Sequence, residues 1–81
     1  MQSELDEIQL ELTARIYKLF LEKFNGNKLA FAKAANCDEK TIRRLLDNKQ
    51  GMTVNLLLKL AFALEIKPSN LLDNLNLNDK N

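Results

Sequence analysis

Residues 27–46 read NKLAFAKAANCDEKTIRRLL, two runs of helix-favouring residues separated by a short break. Lys28, Leu29, Ala30, Phe31, Ala32 and Ala35 suit a helix, and Asn27 ahead of them can cap its free N–H groups. Asn36 falls where the chain must turn, and asparagine enters the left-handed region more readily than any other non-glycine residue. Asp38 is placed to cap a second helix running from Glu39 through Leu46. Two helices over so short a turn predict a helix-turn-helix.

Spacing within the second helix gives each face a role. Ile42, Leu45 and Leu46 recur at three and four residues and form a stripe to be buried. Lys40, Arg43 and Arg44 repeat that spacing on the other side; a charged outer face is often only solvated. Here Glu39 and Lys40 also occupy the exposed N-terminal end, the part that a recognition helix directs at base edges.

Eighty-one residues make one domain able to bury a modest core without metal or disulfide. The single cysteine, Cys37, has no partner for an intrachain disulfide. Histidine is absent, which removes the usual general base and zinc ligand, so no enzyme, cofactor or metal site is expected. Four acids and no base among residues 1–12 reverse the charge order of a secretory signal, and no apolar run has the length of a membrane span. A cytoplasmic protein is the expectation. The net charge is only +1, but nine of the twelve bases, against four acids, lie in residues 13–50. Positive charge is thus concentrated around the helix-turn-helix.

Around that unit the pattern predicts an all-α fold of five helices, at about 4–24, 28–35, 39–47, 54–64 and 68–75, forming one domain over residues 1–75 with a polar tail at 76–81. Ser3 can cap the long first helix, whose Leu5, Ile8, Leu12, Ile16, Leu19 and Phe20 make one apolar stripe, widened by Leu10, Tyr17, Leu21 and Phe24. Its first turns have two possible covers, a partner chain or the C-terminal helix of the same chain. Thr53 caps the fourth helix, whose Leu57, Leu58, Leu60, Ala61 and Leu64 are expected in the core. Pro68 opens the last, where Leu71, Leu72 and Leu75 form a buried or dimer-forming side.

This order of elements resembles the lambda-repressor and Cro (Xre-type) transcriptional regulators. The clearest segments are FAKAANCDEKTIRRL and MTVNLLLKLAFALEIKPSNLL, and the resemblance spans roughly residues 16–72. The family's Leu-Ala pair is matched by Phe31-Ala32, its turn glycine by Asn36, its buried valine by Cys37, and its Thr-Ile pair by Thr41-Ile42. The resemblance implies a five-helix DNA-binding domain acting as a transcriptional regulator. It places Glu39, Lys40 and Arg44 at base-reading positions, with Thr41 and Arg43 beside them. Asn27, Lys28, Lys49 and Gln50 become candidate phosphate contacts. Arginine suits a guanine O6/N7 pair and a carboxylate can accept from cytosine N4, although Glu39 can equally pair with Arg43 one turn away.

One departure from the family pattern concerns an arginine of the first helix and a glutamate ending the recognition helix, replaced here by Leu21 and Leu46. An apolar contact between these two is therefore expected. The function expected is sequence-specific binding of double-stranded DNA by a homodimer on a palindromic operator, the dimer surface coming from the first helix, the last, or both. The alternative is a protein-interaction module or antitoxin-like partner that keeps the fold as a scaffold and binds another protein through its first helix.

Overall fold

The structure, a computed structural model, describes residues 4–73 and 75, with side chains placed from Glu7 onward. Ser3, the side chain of Leu5 and the tail 76–81 lie outside the described residues. The helices are α1 (Glu4–Phe24), α2 (Lys28–Ala35), α3 (Glu39–Leu46), α4 (Val54–Leu64) and α5 (Pro68–Leu72). Among the described residues, no helix is long and apolar enough to cross a membrane.

Helix ends follow the local chemistry, with one exception and two boundary shifts. Asn27 accepts from the Ala30 N–H through Oδ1 at 3.0 Å, and Thr53 from the Leu56 N–H through Oγ1 at 3.0 Å, so α2 and α4 are capped as expected. Asp38 has the extended backbone of an N-cap and its carbonyl accepts from the Ile42 N–H at 3.2 Å, but its carboxylate makes no capping bond. Asn36 is left-handed, with φ 57° and ψ 49°; its N–H donates to Lys33 O and that of Cys37 to Ala32 O. This paired closure satisfies two terminal carbonyls of α2 and turns the chain toward α3. The same closure recurs at Asn48 after α3 and at Glu65 after α4. Helix α3 stops at Leu46, one residue early, because Asp47 already has ψ near 3°.

The last helix is shorter than its sequence pattern. Asp73 is extended, with φ −67° and ψ 136°, so α5 ends at Leu72 and Leu75 lies beyond it, 9% exposed. At that stop the guanidinium of Arg15 in α1 donates to the carbonyl oxygens of Leu71, at 2.8 Å, and Asp73. The Leu71 carbonyl, which a continuing helix would use for the Leu75 N–H, is thus engaged by a side chain from the other end of the sequence.

The core unites all five helices around Ile16, Phe20, Phe31, Ile42, Leu45, Leu60 and Leu71, each under 2% exposed. Phe20 stacks on Phe31 with centroids 5.1 Å apart, and Phe24 meets Phe31 at the same separation. Leu12 belongs to this cluster and Ile8 packs on it, alongside Leu71 and Leu75. Within the chain, α1 and α5 pack on each other. In α4 the buried residues are Leu56, Leu60, Ala61, Ala63 and Leu64, whereas Leu58, expected in the core, is 47% exposed. Leu56 and Ala63 lie on the side that α4 turns to the core, a tertiary choice that a helix apolar almost all round leaves open.

Candidate nucleic-acid interface

The interface is built on α3, whose buried Ile42 and Leu45 and half-buried Leu46 anchor it to the core and turn the opposite side outward. Lys40, Arg43 and Arg44 are exposed along that side. The guanidinium of Arg43 meets the carboxylate of Glu39 at 3.3 Å, both side chains about half open to solvent. Such an exposed pair one turn apart is worth only about 0.3–0.5 kcal/mol, so it steadies both side chains without withholding them from a ligand.

Arg44 is held differently. Its Nε donates to Gln50 Oε1 at 3.2 Å and its terminal nitrogen to the Lys49 carbonyl at 3.4 Å. Arg44, Lys49 and Gln50 are therefore brought into one cluster at the end of α3. Thr41 is partly buried and shares a depression with Gln50, Cys37, Asp38, Asn55 and Lys59, between the start of α3 and the start of α4. Burial pushes the Cys37 thiol above its ordinary value, with the nearby Lys59 opposing and Asp38 reinforcing the rise.

At the start of α2, Lys28 shares a second depression with Leu46, Asp47 and Asn48 and so stands beside the end of α3. Helix geometry leaves the Lys28 and Leu29 N–H groups without intrahelical acceptors. Asn27 is less available than the sequence suggested: its N–H donates to Phe24 O at 2.9 Å and its Oδ1 caps Ala30. Its Nδ2 is a further donor.

Two contributors were missed from sequence. Gln9 of α1 donates through Nε2 to Gln50 O at 3.1 Å and accepts through Oε1 from the Met52 N–H at 3.3 Å. It ties the loop that carries Lys49 and Gln50 to the longest helix of the domain. Its signal was present in the chain: Gln9 lies on the apolar arc with Ile16 and Phe20, where a polar side chain must find partners. Lys59 is the other, donating from α4 to the Asn36 carbonyl at 3.4 Å and so tying α4 to the turn of the motif.

The expected Leu21–Leu46 contact fares less well. Leu21 is 43% exposed beside the Gly26 turn, while Leu46 borders a depression together with Leu10, Thr13, Ala14 and Tyr17 of α1. Leu21 does not line that depression.

No curated protein and no solved structure matches the chain. Residues 15–74, which hold the last half of α1 and all of α2 to α5, match the family model described as the Cro/C1-type HTH DNA-binding domain. With the helix-turn-helix, its exposed basic face and its anchored loop in place, the chain belongs to the Cro/C1-type helix-turn-helix DNA-binding domain family.

Proposed function

We propose that the protein is a sequence-specific, double-stranded DNA-binding transcriptional regulator that acts in the cytoplasm as a homodimer on a palindromic operator. The observation that carries this reading is the arrangement at α3: Lys40, Arg43 and Arg44 exposed on one helix, with Arg44 joined to the Lys49–Gln50 loop that Gln9 anchors. Lys40, Arg43 and Arg44 supply donors for guanine edges, and Thr41 and Glu39 stand beside them. Lys28 and Lys49 hold phosphates on either side, fixing register without reading sequence. One short helix reaches few base pairs, so specificity calls for two copies on half-sites a helical turn apart. No catalytic step, cofactor or metal enters this reading.

The test is selection from a randomised duplex library over a salt series, comparing the wild type with the Arg43→Ala, Arg44→Ala double variant. Enrichment of a palindrome that the double variant loses is the expected result. Weak binding that falls uniformly with salt and enriches nothing would refute it. That outcome would favour the second reading, a protein-interaction module, which finds support in the apolar stripe of Leu10, Tyr17 and Leu21 along α1, each more than 40% exposed.

A further inference from the structure

The three cations on the outer side of α3 are not equivalent. Lys40 is a compact charge on a flexible stem, with donors that rotate freely. Arg43 has a carboxylate partner, Glu39, on its own helix at 3.3 Å, so that pair moves as α3 moves. Arg44 alone takes both its partners from another segment: Nε donates to Gln50 Oε1 at 3.2 Å and Nη2 to the Lys49 carbonyl at 3.4 Å. Both acceptors are neutral and leave the guanidinium its full charge. The loop that supplies them is itself fixed from α1, where Gln9 donates to the Gln50 carbonyl at 3.1 Å. Tertiary structure therefore sets the direction of Arg44.

We infer that Arg44 reads one guanine of the bound duplex end-on, and that Gln50 determines this preference as a positioning residue rather than as a phosphate contact. The inference rests on the DNA-binding reading above and names the base that one of its residues selects. In a guanidinium, Nε–H and Nη2 share one edge, and here the loop occupies that edge. Of the five N–H donors, two on Nη1 and one on Nη2 remain, side by side at the end of the fork. Guanine offers O6 and N7 to the major groove as two adjacent acceptors, which this end can bridge. Adenine sets a donor beside its acceptor, and that donor would oppose a guanidinium N–H; cytosine offers a donor and thymine a methyl group beside its single acceptor.

Gln50 suits this task chemically. Its amide oxygen holds the guanidinium without adding a negative charge that the DNA phosphates would repel. An arginine without such a hold samples many rotamers and must be ordered when it binds, whereas one held in place has already met part of that cost. Both bonds are exposed in the free protein and are long for N–H···O contacts, so each is weak there. A duplex lying over them excludes water and strengthens them at the moment the base is read.

Two substitutions at one position separate the roles. Gln50→Met keeps the length of the side chain and removes the acceptor, whereas Gln50→Glu keeps the acceptor and adds a negative charge. Equilibrium binding is measured on the duplex selected by the wild type and on all its single base-pair variants. The pair whose preference Arg44→Ala abolishes is expected to be G·C, guanine being favoured by about 5- to 150-fold in the wild type. Gln50→Met is expected to cut that preference at least about threefold while preferences at the other positions stay within about twofold. Gln50→Glu is expected to keep the guanine preference and to weaken binding to every duplex alike. In the free protein, the Arg44 Nε proton is expected to exchange with water more slowly in the wild type than in Gln50→Met. Equal exchange rates, or a Gln50→Met protein that binds all duplexes more weakly with its guanine preference intact, would overturn the inference. So would an Arg44→Ala protein that loses about one unit of salt slope and no base preference, since Arg44 would then hold a phosphate. Each of these leaves the DNA-binding reading standing, whereas a wild type that selects no duplex overturns both.

Discussion

Replacing Gln9 by alanine removes both hydrogen bonds that join α1 to the loop after the recognition helix, one to the Gln50 carbonyl and one from the Met52 N–H. Each is worth about 0.5–1.5 kcal/mol net, and both are only partly buried, so water recovers part of the loss. Alanine's better helix propensity returns a few tenths of a kcal/mol. The expected destabilisation is about 1–2 kcal/mol, a fall in Tm of about 5–15 °C for a domain of this size. Thermal denaturation measures the total, and hydrogen exchange at the Met52 amide isolates the cause. Gln9→Glu divides the two bonds: its carboxylate still accepts from Met52 but confronts the Gln50 carbonyl with no donor. Since Gln50 in turn holds Arg44, both variants are expected to bind DNA more weakly than their stability alone requires. A Gln9→Ala protein with Tm within about 2 °C of wild type and an equally protected Met52 amide would refute the reasoning.

Four further outcomes are expected. Thr13 is 3% exposed and its hydroxyl has no hydrogen-bond partner among the described residues, so Thr13→Val, similar in shape, should raise stability by about 1 kcal/mol in a denaturant titration. Glu65 holds a left-handed backbone at φ 57°, which asparagine adopts at lower cost; Glu65→Asn should gain about 0.5 kcal/mol despite losing the exposed pair with Lys23, and no gain in Tm would count against strain there. Lys28→Ala and Lys49→Ala should each lower the slope of log K against log salt by about 1 while leaving base preference unchanged, as read by binding isotherms at several salt concentrations. The raised pKa of Cys37 means that the folded protein holds its thiol proton more tightly than the unfolded chain. Its stabilising share is present below the ordinary thiol value of 9.0 and is lost as pH rises through the folded value. Alkylation near neutral pH should accordingly be slower than for an unfolded control, and an equal rate would contradict the burial.

Much of this molecule follows from local chemistry that the chain carries openly. Asparagine at positions 27 and 36, threonine at 53 and proline at 68 set helix boundaries because a cap, a left-handed turn or a fixed φ is a property of a few adjacent residues. The basic side of α3 was legible for the same reason, its spacing of three and four being enough to separate an inner from an outer face. What the sequence could not determine was which groups meet across the fold. Arg15 meets the end of α5 from fifty-six residues away, and Gln9 anchors a loop forty-one residues later, in each case because a side chain satisfies a distant backbone group. The tertiary structure alone also chose the face of α4: its leucines are so numerous that periodicity permits several core-facing sides, and packing against α1, α2 and α5 buried Leu56 and left Val54, Leu58 and Phe62 in solvent. Local hydrogen bonds and steric limits act within a turn and can be read along the chain, whereas the choice among apolar faces depends on the shape of every other helix at once.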